Sequence, residues 1–234
     1  MSETSLTILI WTAISIGFIH TLIGPDHYVP FIAIGKARRW SVSKTLAVTF
    51  SCGVGHVLSS VIIGVIGIAI GTALGDLESI ESVRGDIASY ALIGFGMLYG
   101  IWGLYRAKRS HRHGHGHLPG GKHLDEHDSR SVTFWTLFII FVLGPCEPLI
   151  PLLMFPALAG GAAGASPAAA NNWHGVALVT AAFGITTIGT MCAIVYSAIR
   201  GLSLVNTAGL ERYIHALAGG IIAVSGISIR LFGL

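Results

Sequence analysis

Two Gly-Pro pairs in this chain are each followed directly by residues that can bind ions. Asp26-His27 follows Gly24-Pro25 in the first apolar stretch. Cys146-Glu147 follows Gly144-Pro145 in the fourth. An ionisable side chain inside a bilayer costs at least about 2.5 kcal/mol and persists where it lines a cavity, pairs with another charge or binds something. These positions are therefore the first candidates for a functional site.

Two further histidines lie within apolar stretches, His20 before the first Gly-Pro pair and His56 in the run FSCGVGH. Imidazole and carboxylate together favour divalent transition metals, and a thiolate favours softer ions. A purely oxygen-donating set would instead suit Mg²⁺ or Ca²⁺. We therefore expect a divalent transition metal at these residues, and no organic cofactor. The predicted metal-binding residues are His20, Asp26, His27, His56, Cys146 and Glu147.

The composition indicates the class of protein in which these residues lie. Of the 234 residues 53% are hydrophobic and 11% are charged, and the mean hydropathy is +0.73. A typical soluble domain has about 25% charged residues, so an ordinary water-soluble, disordered or coiled-coil protein is excluded. The chain is predicted to be an all-α membrane protein with six spans. They lie at about 5–35, 45–75, 87–105, 132–159, 174–199 and 213–233.

Basic residues predict the orientation. All but Arg84 and Arg230 of the 14 Lys and Arg residues lie in the connections after the first, third and fifth spans. By the positive-inside rule these connections are cytoplasmic, and both termini lie outside. The connection before the third span is acidic, which leaves Asp26 and Glu147 as the only carboxylates within the predicted spans. We expect an integral protein of a prokaryotic cytoplasmic membrane.

The two halves of the sequence resemble one another. LIGPDHYVPF at 22–31 aligns with VLGPCEPLIP at 142–151, and weaker matches follow in the next two spans. Because three spans are an odd number, the second copy enters the membrane from the opposite side, as in many transporters. Proline removes a backbone donor, so the first and fourth spans should be broken helices. The expected units are 1–105, a linker at 106–131, and 132–234, although chance similarity among apolar segments stays an alternative.

The linker is rich in histidine, which is a compositional signal of metal binding. A hydrophilic spacer between the two halves is the alternative interpretation. Its histidines are His111, His113, His115, His117, His123 and His127.

The run HTLIGPDHYVPF resembles the signature of the nickel/cobalt transporter (NiCoT) family. In that signature four residues separate a His from an Asp-His pair, and here five residues separate His20 from Asp26-His27. The resemblance implies that the transported metal is nickel, cobalt or a zinc-like ion. Rcn-type efflux proteins and UreH-like proteins look similar. LGPCEPLIP resembles the matching segment of a wider superfamily that includes sulfite exporters, LysE-type exporters and DsbD/CcdA membrane domains. This resemblance implies a membrane transporter in which His20, Asp26, His27 and His56 bind or select the metal.

Other functions remain to be weighed. A sulfite-like anion exporter of the same fold would use half-helix dipoles, with Asp26 or Glu147 as proton sites. An accessory protein that delivers metal to an enzyme is a further alternative. A thiol relay needs paired thiols, and only the second break carries a cysteine. We therefore expect a transporter that is not an enzyme, with metal, lipid and a coupling proton as partners and no nucleic acid; homo-oligomerisation stays open.

Overall fold

The computed structural model describes residues 3–70, 72–109, 125–158, 173–203 and 211–232. In these ranges the chain forms eight α-helices and two short 3-10 helices, and it forms no strand, which confirms the all-α prediction. The α-helices are α1 Glu3–Ile23, α2 Val29–Ala37, α3 Val42–Ile70, α4 Leu74–Arg109, α5 Asp125–Leu143, α6 Leu149–Leu158, α7 Trp173–Ser203 and α8 Ile214–Phe232. The 3-10 helices are Pro25–His27 and Glu211–Tyr213.

Five of the helical segments are long and apolar enough to cross a membrane, and the apolar part of α5 is shorter. Large apolar side chains cover the outside of the bundle; Ile70, Leu98 and Ile185 are each more than 70% exposed. Water-soluble monomers rarely expose apolar patches of more than a few hundred Å². The protein is therefore a membrane-embedded helical bundle.

The helices are interrupted at both Gly-Pro pairs. α1 ends at Ile23 and α2 begins at Val29, while α5 ends at Leu143 and α6 begins at Leu149. At the first break Gly24 is extended (φ −77°, ψ 102°), and Pro25 starts the 3-10 helix. A residue before proline is disfavoured in the helical region, which explains why α1 stops there. The two breaks predicted from proline are thus present.

The helix that carries the third apolar stretch is longer than the predicted span at 87–105. α4 begins at Leu74 rather than near 87, so the acidic stretch and Arg84 belong to a helix. Mean hydropathy misses this segment because each charged residue lowers the score of a predicted span. Glu81 and Arg84, three residues apart on the helix, neutralise one another by forming an ion pair. Glu81 is completely buried. Glu81 therefore adds a buried carboxylate to Asp26 and Glu147, the two that lie within the predicted spans.

Small residues allow the closest helix packing, between α4 and α8. A Cβ atom on Gly96 would lie 2.8 Å from the carbonyl oxygen of Gly219, and one on Gly219 would collide with the backbone of Gly100. Such small residues let backbones touch, which is how helices associate where lipid offers no hydrophobic drive. A small residue also allows α3 to pack closely on α5, since a Cβ on Gly55 would lie 2.9 Å from Val142. This contact places the middle of α3 beside the second break.

The predicted linker falls partly outside the described residues. Residues 110–124, with five of its six histidines, are not described. The backbone at His127 belongs to α5, and 106–109 belong to α4. The His-rich metal-binding hypothesis thus stays a prediction.

Candidate metal centre

Three histidines from different parts of the chain meet beside the first helix break. His20 lies in the last turn of α1, His27 ends the 3-10 helix, and His56 is at the middle of α3. One ring nitrogen from each histidine lies within 4.8 Å of the others. The ring centroids of His20 and His27 are 4.7 Å apart, those of His27 and His56 are 5.1 Å apart, and both pairs pack edge to face.

The Nε2 atoms of these three rings are buried and have no hydrogen-bond partner among the described residues. His27 and His56 are each only 2% exposed. A buried polar atom left without a partner costs about 1–3 kcal/mol, so such atoms are rare in folded proteins. Three of them on neighbouring rings indicate a position where a ligand supplies the missing interaction.

The first break sets the orientation of His27. Its Nδ1 lies 3.2 Å from the carbonyl oxygen of Gly24 and 3.1 Å from Oδ1 of Asp26. A carbonyl oxygen only accepts hydrogen bonds, so Nδ1 is the protonated nitrogen and the Nε2 lone pair is free. This arrangement, with the second nitrogen bonded to a carboxylate or carbonyl, is typical of histidines that bind metals.

The second break sets the orientation of His56. Nδ1 of His56 donates to the carbonyl oxygen of Phe141, 3.3 Å away in the last turn of α5. The residue four positions later, Pro145, has no N–H to give this carbonyl. The carbonyl accepts the backbone N–H of Gly144 over 3.1 Å and keeps a second lone pair for His56. The Nε2 lone pair of His56 is therefore also free to bind a cation.

Glycine is required at both breaks because an imidazole occupies the space beside it. A Cβ atom on Gly24 would lie 2.5 Å from Nδ1 of His27 and 2.9 Å from Oδ1 of Asp26. A Cβ on Gly144 would lie 3.2 Å from Nδ1 of His56. Each Gly-Pro pair thus breaks its helix and also leaves room for one histidine.

A cavity of about 600 Å³ lies between the two breaks and reaches the histidines. Ion-binding side chains from the first break and α3 form one wall, and Glu147 from the second break lies on another. Asp86 of α4 and Arg230 of α8 also line the cavity and form an ion pair with each other. The cavity residues with polar or charged side chains are His20, Asp26, His27, His56, Ser82, Asp86, Ser89, Glu147 and Arg230.

The structure brings together some of the six predicted metal-binding residues but not all of them. It brings His20, His27 and His56 together, with Asp26 bonded to His27. Glu147 is exposed on the cavity wall and does not belong to the histidine group. Cys146 is buried and packs with apolar residues such as Val57 and Leu149. For Cys146 and Glu147 the ligand role stays a prediction.

Sequence reasoning missed a buried polar network at the second break. Glu81 and Arg84 form an ion pair, and Ser60 donates to Oε2 of Glu81 over 2.8 Å. The backbone nitrogen of Cys146 donates to the same oxygen over 3.0 Å. The spacing of three residues between Glu81 and Arg84 was the one available signal, but nothing local shows which break they contact.

Comparisons with known proteins return no match. No family model matches the chain, and no curated protein or solved structure does either. The chemistry of the site therefore rests on the geometry of the described residues.

Proposed function

We propose that this protein is a membrane transporter of divalent transition-metal ions of the nickel or cobalt kind. One observation carries the proposal. One ring nitrogen from each of His20, His27 and His56 lies within 4.8 Å of the others beside a cavity between two helix breaks, and the buried Nε2 atoms of all three have no partner among the described residues. Neutral imidazole suits zinc, copper, iron and nickel ions, and cobalt precedes nickel in the same affinity order. Broken helices that meet near the bilayer midplane are typical of transport sites.

In this proposal the three histidines bind the ion directly. Asp26, whose side chain is 27% exposed, orients His27 and brings a negative charge beside the bound cation. Glu147 supplies a second carboxylate on the cavity wall, along the path of the ion. The Cys146 thiol does not belong to the histidine group, and its ligand role stays a prediction.

The proposed transport cycle uses the two halves of the chain. We infer a six-span protein in which α1–α2 and α5–α6 are the broken spans of two inverted repeats. Its support is that both breaks follow Gly-Pro pairs and line the same cavity. Rocking of one half against the other would expose the ion to either side of a prokaryotic cytoplasmic membrane, with both termini outside. Protonation of the ligands would release the ion and couple transport to a proton gradient.

The lining of the cavity does not favour the anion alternative. Arg230 is the only Lys or Arg among the described lining residues, and Asp86 already neutralises it. Two further carboxylates, Asp26 and Glu147, line the same space. A desolvated anion would face this negative charge without a free cation to bind it.

Ion flux into liposomes tests the function. Purified protein is reconstituted, and uptake of Ni²⁺, Co²⁺ and Zn²⁺ is compared for the wild type, Asp26→Ala and His27→Ala. We expect metal flux in the wild type and its loss in both variants. Flux of sulfite without any metal would contradict the proposal and favour an anion exporter; no flux of either would favour metal delivery without transport.

A second variant distinguishes metal that binds in the cavity from metal that binds to the linker histidines. Glutamine replaces the six linker histidines, His111 to His127, which removes the other cluster of imidazoles. We expect this variant to keep one high-affinity metal site. Complete loss of binding would move the metal site from the cavity to the linker.

A further inference from the structure

A largely buried ion pair lies between two residues of α4, and neither belongs to the histidine group. Glu81 is 0% exposed and the side chain of Arg84 is 13% exposed. Removing both charges from water costs as much as their attraction returns, unless further hydrogen bonds satisfy the remaining atoms. Because such a pair is weak evidence for stability, we infer its role from the groups that it contacts.

These contacts hold both ends of the second break. Nη2 of Arg84 donates to the carbonyl oxygen of Val142 over 2.7 Å and lies 3.4 Å from that of Gly144. Beyond the break, the backbone nitrogen of Cys146 donates to Oε2 of Glu81 over 3.0 Å and to Oγ of Ser60 over 3.2 Å. The ion pair thus supplies partners to backbone groups that lose their own when α5 stops.

The same network reaches His56 by two routes. Nη2 of Arg84 donates to Oγ of Ser59 over 2.7 Å, and Ser59 donates to the carbonyl oxygen of His56 over 2.8 Å. On the other side, the carbonyl of Phe141 accepts the Nδ1 hydrogen of His56, one residue before the Val142 carbonyl that Arg84 holds. Arg84 therefore contacts the segments on both sides of the imidazole.

We propose that Glu81 and Arg84 are positioning residues of the candidate metal centre. They hold the break between α5 and α6 so that the Phe141 carbonyl keeps the proton on Nδ1 of His56 and leaves Nε2 free for the ion. This inference rests on the proposed function for its consequence in metal binding. Lysine cannot replace Arg84, because one ammonium group cannot reproduce the flat fork that spans Glu81, Ser59 and Val142.

The first test needs no metal. The full-length protein, labelled with ¹⁵N-histidine and freed of metal, is examined by NMR, and the signals of His56 are assigned by their absence in His56→Ala. We expect the wild type to carry the proton on Nδ1 and Arg84→Lys to show a mixture of both tautomers. A pure Nδ1 tautomer in a folded Arg84→Lys protein would overturn the inference, whatever the protein transports.

The second test uses Co²⁺ as a visible probe in the variant whose linker histidines are glutamine. We expect Arg84→Lys and Glu81→Gln to bind Co²⁺ about 10–100-fold more weakly, with a changed absorption band, as loss of a residue behind a ligand typically does. Arg39→Lys, which alters the exposed pair with Glu211 outside this cavity, is the matched control and should leave both unchanged. A lowered melting temperature with unchanged affinity and spectrum would mean a purely structural role.

A milder variant covers the case in which Arg84→Lys does not fold. Ser59→Ala removes the link between Arg84 and the His56 carbonyl and leaves the ion pair intact. It should shift the tautomer of His56 in the same direction to a smaller extent. An unaltered His56 signal in this variant would also contradict the inference. If the variant with glutamine in place of the linker histidines does not bind Co²⁺, the metal function is rejected. The NMR result would still decide whether Glu81 and Arg84 position His56.

Discussion

His27 and His56 lie edge to face with ring centroids 5.1 Å apart, and each ring donates its Nδ1 hydrogen to a carbonyl exposed by a helix break. The two breaks therefore act on two neighbouring side chains in the same way. Each fixes one imidazole with its Nε2 lone pair free, and neither Nε2 has a protein partner among the described residues. The predictions below follow from this arrangement.

Replacement of His56 by alanine should remove one nitrogen from the candidate site. Loss of a residue that merely orients a ligand costs about 10–100-fold in affinity, so loss of the ligand itself should cost at least about 100-fold. Calorimetric titration with Ni²⁺ measures this. His174→Ala is the control, because His174 is exposed in the first turn of α7 and lies outside the histidine group. Equal losses in both variants would exclude His56 as a ligand.

The substitution Asp26→Asn keeps the shape of the side chain and removes its charge. Asp26 accepts the Nδ1 hydrogen of His27, so the variant should lower metal affinity by about 10–100-fold. The same titration measures the change. Asp86→Asn removes another carboxylate from the same cavity without touching a histidine of the group. A similar loss for Asp86→Asn would show that the charge of the cavity matters rather than the bond to His27.

A methyl group at Gly24 should displace the first-break histidine. The added Cβ of Gly24→Ala would lie 2.5 Å from Nδ1 of His27, so the ring or the backbone has to move. We expect weaker metal binding and an altered Co²⁺ spectrum. Gly189→Ala in α7 adds the same methyl group where no atom lies within 4 Å. Normal metal binding by Gly24→Ala would mean that the break tolerates a side chain.

Acidification should release the metal. Ligand imidazoles must be neutral, so protons compete with the ion for the Nε2 lone pairs, and affinity should fall as the pH is lowered through the range in which these imidazoles titrate. Titrations at several pH values give the number of protons released on binding. His56→Ala should show a shallower slope, since one competing imidazole is gone. Affinity that does not change over this range would argue against histidine ligands.

The contact between α4 and α8 offers a matched pair of stability variants. A Cβ on Gly219 would collide with Gly100, and overpacking of this kind typically costs about 1–3 kcal/mol. Gly220→Ala, one residue later, meets no atom within 4 Å and should be neutral or stabilising by up to about 1 kcal/mol. Thermal unfolding in detergent distinguishes them. Equal melting temperatures would mean that the two helices separate easily at Gly219.

The helices and their breaks could be predicted because their causes are local. Long apolar runs with few charges predict membrane-embedded helices, and Gly24-Pro25 and Gly144-Pro145 end helices through the missing backbone donor of proline. The acidic start of α4 was missed for a physical reason. Glu81 is tolerated inside the bundle only because Arg84, Ser60 and the backbone of Cys146 meet it, and two of these three partners lie outside α4.

The sequence by itself determined which residues were able to bind a metal, since His, Asp, Cys and Glu are the ionisable side chains beside the breaks. Only the tertiary structure decided which of them meet. It brings His20, His27 and His56 within 4.8 Å of one another, and it buries Cys146 in an apolar cluster away from them. The reason is physical: spacing along the chain sets the direction of a side chain on its own helix. Contact between helices depends instead on small residues such as Gly55 and on carbonyl groups at the breaks, such as that of Phe141, which accepts the His56 hydrogen from another helix.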